Sequence, residues 1–216
     1  MNKKLIPLQE TRIQITVVNS QFIATLSPVF SIEKAKAFFL RIKNEFSDAS
    51  HNVQVFLIGH GSSTISHAND DGEPSGTAGR PALAVLQGSG LGDVAVVISR
   101  YFGGTKLGKG GLVRAYSDSV RSVLNATRIA EKVNTHTLMV SCPYSFFEQV
   151  VNLINSHHGR ILDQDFSADV TITCSLDVDW YHNFVESINE FGGNTISLIV
   201  IEQDVTSIMP VAGEIN

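Results

Sequence analysis

Cysteine is nearly absent from the chain: its 216 residues hold two, Cys142 and Cys174. They lie too far apart for the close pairing of a zinc or thioredoxin-like redox site, and both are expected to be reduced and buried. Long apolar runs are lacking too. The first residues, MNKKLIPLQETR, carry two lysines, but their apolar runs are short and broken by Pro7 and Gln9, so neither a signal-peptide core nor a spanning helix is expected. The chain therefore reads as cytoplasmic, with no membrane partner. Repeats and low-complexity linkers are missing as well. With 43% hydrophobic and 17% charged residues, the composition is that of an ordinary globular protein of one or two domains.

Positive charge is the most unevenly distributed shortage. Residues 133–216 hold one cation, Arg160, against 11 Asp+Glu, a net of −10. Residues 1–132 hold 15 Lys+Arg against 10 Asp+Glu, a net of +5, and the two parts make up the −5 of the whole. A boundary near residue 132 follows from this shift together with a change of pattern, giving domains at 1–132 and 133–216. Such asymmetry fits a first domain that meets a polyanion, or two domains that simply differ in composition.

Within the first part, TRIQITVV and QFIATL flank Asn19-Ser20 as a hairpin. Ser31 caps a helix whose apolar positions Ile32, Ala35, Phe38, Phe39, Ile42 and Phe46 keep the spacing of one buried face. Residues 52–58 form a strand, a helix starts near Thr77 with Pro81 in its first turn, and the apolar run 93–102 reads as a strand buried on both faces. A further helix from about Gly110 to Thr127 buries Leu112, Val113, Tyr116, Val120, Val123 and Leu124. Its other side sets Arg114 and Arg121 seven residues apart, with Arg128 seven further on, as one basic stripe. From residue 133 the order is strand, helix, strand, strand, helix, strand, the βαββαβ pattern of a ferredoxin-like fold, so the fold class is α+β. Its first and third strands are neighbours, which brings Cys142 and Cys174 into the same region, and a mobile tail is expected from Thr206.

Two loops carry the distinctive chemistry. The first, DDGEPSGTAGRP, spans Asp70–Pro81 and the second, RYFGGTKLGKGGLVRAY, spans Arg100–Tyr116. A strand that opens into a glycine-rich basic loop and then a helix can present backbone N–H groups to an anion. Gly103–Lys109 fits the first seven positions of the phosphate-loop pattern, but Gly110 stands where the magnesium-holding Ser or Thr belongs, and Val113 breaks the dinucleotide pattern. Nucleotide hydrolysis is thereby disfavoured. What remains is a phosphate or carboxylate site at Gly108, Lys109, Gly110 and Gly111 with Lys106, Arg100, Arg114 and Arg121 nearby, or a purely structural turn.

In the first loop Asp70, Asp71 and Glu73 suit turn-capping and an ion pair to Arg80, Arg100 or Arg114. A rival reading makes Asp71 or Glu73 the base of a small enzyme acting on a phosphorylated or acidic metabolite. Three near-adjacent carboxylates without a histidine do not make a metal site, so neither metal nor cofactor is expected. Ser62, Ser75 and Ser99, with His51, His60 and His67, sit in no nucleophile elbow. His157-His158 ends a helix, where a cation is favourable.

The two loop motifs, in this order and at this separation, resemble the IMPACT family, in its two-domain bacterial YigZ branch. SHN at Ser50–Asn52 is similar to the family's histidine-containing segment, and the resemblance extends over nearly the whole chain. It implies a first domain like domain IV of elongation factor G, a ferredoxin-like second domain like domain V of that factor, and a link to translation control without an established enzymatic activity. The chain departs from the family pattern at Asn19-Ser20-Gln21, where basic residues are common, and at Val53, where cysteine is common. The resulting expectation is a non-catalytic regulator that binds RNA or a ribosome-associated surface through its basic loop. A protein partner in translation control, met by a protein-binding module, is the other reading.

Overall fold

A computed structural model describes residues 3–210 as an α+β protein in two compact units. The first runs to Glu131 and the second covers Lys132–Ile208.

In the first unit, β1 (Leu5–Pro7), β2 (Thr11–Val17), β3 (Ser20–Pro28), α1 (Ile32–Glu45), β4 (His51–Ile58), β5 (Ile65–Asn69), α2 (Gly79–Gly88), β6 (Val94–Tyr101) and α3 (Gly108–Ala126) follow in order. Five of the strands make an antiparallel sheet in the order β2-β3-β6-β4-β5. β6 lies at its centre, registered with β3 through Ala24↔Ile98 and with β4 through Val53↔Ile98. Successive side chains of a strand point to opposite faces. Val94, Val96 and Ile98 therefore join one apolar cluster with Ala82, Leu86, Leu112, Tyr116 and Val120, while Ala95 and Val97 join another with Ala35, Phe38, Phe39 and Ile42. Helices cover both faces, which is why β6 is apolar without alternation. Ser31 caps α1, its side chain accepting from the Lys34 N–H.

The strand β7 (Ile129–Cys142) pairs at its start with β1 through Ile6↔Ala130, and from Lys132 it belongs to the second unit. There follow α4 (Phe147–Ser156), β8 (Arg160–Phe166), β9 (Val170–Asp177), α5 (Val178–Gly192) and β10 (Ser197–Pro210). The order β10-β7-β9-β8 is that of a ferredoxin-like sheet, in which β9 returns between β7 and β8. Leu138, Val140, Ile172 and Leu176 pack against Val150, Ile154, Phe184 and Ile188 of the two helices. The edge strand β8 carries Asp163 and Asp165 outward, charges that discourage edge-to-edge pairing.

The two cysteines are free and buried as expected but not close to each other, whereas the expected tail needs correction. Cys174 faces Leu138 and Cys142 faces Val170 in the β7–β9 register. That places the thiols about four residues apart along the strands, roughly 13 Å at 3.3 Å per residue, beyond the reach of a disulfide; both are free and buried. The mobile tail expected from Thr206 also does not begin there, because β10 runs on to Pro210, where the Thr135 hydroxyl reaches the Ser207 hydroxyl at 2.7 Å. The remainder of the expected tail lies outside the described residues.

Candidate functional site

The first loop is shaped by its own carboxylates. Asp70 accepts hydrogen bonds from the backbone N–H groups of Gly76 at 2.8 Å, Ala78 at 3.2 Å and Gly79 at 2.7 Å. It thus caps α2 from nine residues upstream, occupying the free N–H groups that every helix start presents. Partial burial raises the Asp70 pKa, but the three N–H groups and the charge of Arg80 outweigh it and hold the carboxyl below its ordinary value. Asp71, in the left-handed region at φ 44°, accepts from the Asn52 N–H at 2.7 Å and from the Lys43 ammonium at 3.2 Å.

Glu73 turns inward. One of its oxygens, Oε1, accepts from Arg100 Nη1 at 2.5 Å and from the Tyr116 hydroxyl at 2.7 Å. The Glu73 and Arg100 side chains are only 3% and 6% exposed, and Tyr116 is fully buried. Burial and the Glu73 charge drive the Tyr116 pKa far upward, so it remains a donor. The Phe22 ring meets Tyr116 edge-on with centroids 5.2 Å apart, and the Arg100 guanidinium stands over Phe22 at 5.4 Å. Arg100 Nε has no hydrogen-bond partner among the described residues. His51 borders this cluster: its Nδ1 lies 2.8 Å from the Asp71 carbonyl and so carries the hydrogen, leaving Nε2 3.9 Å from Glu73 Oε1. The buried charges of the two motifs thus tie the first loop, β6 and α3 together.

The second loop is clamped where it leaves β6. A Cβ on Gly103 would fall 2.1 Å from the Asn19 carbonyl, so no other residue fits; the Gly103 N–H donates to the Ser20 hydroxyl at 3.2 Å. Beyond this point Lys106, Gly108, Lys109, Gly110 and Arg114 are exposed and Gly111 is half-buried. Gly108 sits at φ +70° with open space where a Cβ would be. α3 begins there with no side-chain cap and no acidic residue in its first turn. Among the described residues Lys106, Lys109 and Arg114 have no ion-pair partner.

Several expected residues are placed elsewhere. Arg100 is not a surface cation, because its charge is consumed by Glu73 in the core. Arg121 is exposed but pairs with Asp118 at 2.7 Å. Arg128 follows the end of α3 at Ala126, so the basic stripe stops at Arg121. Val113, expected in the core, is 37% exposed. Of the ion pairs of the first loop, that of Glu73 falls on Arg100, one of the three partners considered, while that of Asp71 falls on Lys43, which was not among them. Ser99 donates to Asn52 in the interior at 2.6 Å, His60 reaches the Leu5 carbonyl at 3.0 Å, and His67 stacks on Phe56 with centroids 5.3 Å apart. Among the described residues no cluster of His, Cys, Asp or Glu suits a metal ion, and no helix is long and apolar enough to cross a membrane. The sequence reading counted Tyr116 only as core; the available signal was that a buried tyrosine hydroxyl needs a partner.

Residues 18–124, which contain both loops, match the Impact N-terminal domain. Over 204 residues the chain is 32% identical to IMPACT family member YigZ of Escherichia coli, covering 94% of this chain and all of that protein. The chain belongs to the IMPACT family. Bacillus subtilis has a further IMPACT relative, YvyE, 36% identical over 177 residues, 82% of this chain and 81% of its own. Residues 140–194 match a domain of unknown function, DUF1949. A crystal structure of a hypothetical protein shares 32% identity and a TM-score of 0.61 over 94% of this chain and 98% of its own. That match extends the likeness of this IMPACT protein across both units.

Proposed function

We propose that this IMPACT protein is a non-catalytic, translation-associated regulator, located in the cytoplasm, whose first unit binds the phosphate backbone of RNA, free or on a ribosome-associated surface. The observation that carries the reading is the uncapped start of α3. There the N–H groups of Gly108–Gly111 are left without a side-chain acceptor, beside the exposed and unpaired Lys106, Lys109 and Arg114. A helix N-terminus with free N–H groups and adjacent cations favours an anion through both hydrogen bonding and the helix dipole. The start of α2 is different, since Asp70 already fills it. The link to translation rests on the family resemblance. Against an enzymatic role for the first loop, Glu73 Oε1 already accepts two hydrogen bonds. Both Asp71 oxygens are likewise engaged, so neither carboxylate is a free base.

The test is fluorescence anisotropy with a labelled single-stranded RNA of mixed sequence, titrated at several salt concentrations. Affinity should fall as salt rises, because each neutralised phosphate releases counterions. Lys109→Ala should weaken binding to all sequences alike and flatten the log–log salt slope by about 0.7 to 1. Absence of RNA binding at low salt, where attraction is strongest, removes the proposal.

A further inference from the structure

The strand β6 ends on Tyr101, and the next residue, Phe102, is 48% exposed. Its backbone is held on both sides. The Phe102 N–H donates to the Ser50 hydroxyl and the Gly103 N–H to the Ser20 hydroxyl, each at 3.2 Å. The ring is backed as well: the Arg100 guanidinium stands over it at 5.6 Å from the centroid and is itself fixed by Glu73. An aromatic side chain ordinarily contributes by burying its ring. One that is fixed in place and yet half in water is apolar surface that folding has left open.

Position selects the ligand. Among the described residues of the first unit the exposed aromatic side chains are Phe30 and Phe102. Phe30 follows the far end of β3, whose nine residues put Pro28 about 26 Å from Ser20 at 3.3 Å per residue. Phe102, by contrast, immediately precedes Gly103, where the basic loop begins. The exposed Lys106 lies four residues on, at most about 14 Å along the chain. From Phe102 to Arg114 the sequence holds Lys106, Lys109 and Arg114 and no carboxylate, a charge pattern that complements phosphates. Cations that track phosphates beside an aromatic face that stacks a base are the combination by which single-stranded nucleic acids are held. In an A-form duplex the bases lie stacked on one another, and recognition falls to shape, phosphates and 2′-hydroxyls. We propose that Phe102 stacks an unpaired nucleobase of the RNA whose phosphates meet Lys106 and Lys109, so that the site selects single strands over duplex. This inference rests on the RNA reading above and adds to it the ligand class and the residue that selects it. Because the ring is already fixed by Arg100, Ser50 and Ser20, stacking a base on it costs little further ordering of the protein.

The test is fluorescence anisotropy of the full chain with three labelled RNAs of equal length: a single strand of mixed sequence, the same strand built from abasic residues, and a blunt duplex. Phosphate attraction alone ranks the duplex first, since its charge density is greatest, whereas a stacked base ranks the intact single strand first. The intact strand should bind about 5- to 150-fold more tightly than the abasic one. Phe102→Leu keeps an apolar side chain without a π face. It should lose that factor on the intact strand, lose nothing on the abasic strand and leave the salt slope unchanged. Phe102→Trp should bind the intact strand at least as tightly as the parent. Equal binding of intact and abasic strands, a preference for duplex, undiminished binding by Phe102→Leu, or a loss by that variant on all three RNAs alike overturns the inference. In each of those cases the RNA reading stands if Lys109→Ala still flattens the salt slope. Absence of binding to any of the three at low salt removes both.

Discussion

Removing one partner of the Glu73–Arg100 pair should be among the most damaging single changes in the first unit. Glu73→Gln leaves the Arg100 guanidinium, 6% exposed, as an uncompensated charge in the core, and Arg100→Met leaves Glu73 with the Tyr116 hydroxyl as its sole donor. Breaking a buried, hydrogen-bonded ion pair from one side costs about 3–5 kcal/mol, whereas replacing both partners avoids the stranded charge. The double variant should therefore be less destabilised than the sum of the two single ones, by about 2 kcal/mol or more, well beyond the ~0.5 kcal/mol scatter of independent sites. Urea unfolding followed by far-ultraviolet circular dichroism supplies the energies. Additive effects would refute the claim that this pair joins the loops of the first unit.

Two more tests concern titratable groups. Asp70 is held below its ordinary pKa, so its cap contributes fully above about pH 4, the unfolded value, and is lost as pH falls through the lower folded value. Asp70→Ala should accordingly lower stability at neutral pH by about 0.5–2 kcal/mol, with the gap to the parent narrowing in acid; a constant gap down to pH 2 contradicts this. Burial pushes the Cys174 thiol up to about 12 and raises that of Cys142. Since only the thiolate reacts, native protein should take up maleimide at neutral pH far more slowly than urea-unfolded protein. Rapid labelling of either cysteine in the native state would contradict the buried placement.

Much of the fold was legible because its signals are local. Ser31 before an apolar 3.6-residue period marks α1, and the unbroken apolar run of β6 reports helices on both faces. The strand and helix order of the second unit is readable from two periodicities alone. The candidate site was harder because its determinants are long-range. Arg100 looked like a surface cation on composition, yet the two-residue period of β6 puts it on the same face as Val94, Val96 and Ile98, where a guanidinium persists only with a carboxylate partner. Asp70 caps a helix that begins nine residues later, beyond any local capping pattern. Val113 was assigned to the core because apolar character alone does not fix the rotation of α3, whose sheet-facing positions begin at its neighbour Leu112.

The Glu73–Arg100–Tyr116 contact also limits how this sequence can drift. Its members belong to different stretches of chain, yet exchanging Glu73 or Arg100 alone strands a charge in the interior. A natural domain is stable by only about 5–15 kcal/mol, so a first step costing several of those leaves little margin for a second unrelated lesion. Positions 73 and 100 should therefore change together or not at all, and a descendant that had lost Glu73 would be expected to carry an uncharged residue at the place of Arg100. The core sets no such limit beyond Gly103, where replacing the exposed lysines of the second loop would touch the proposed RNA contact and leave the interior undisturbed.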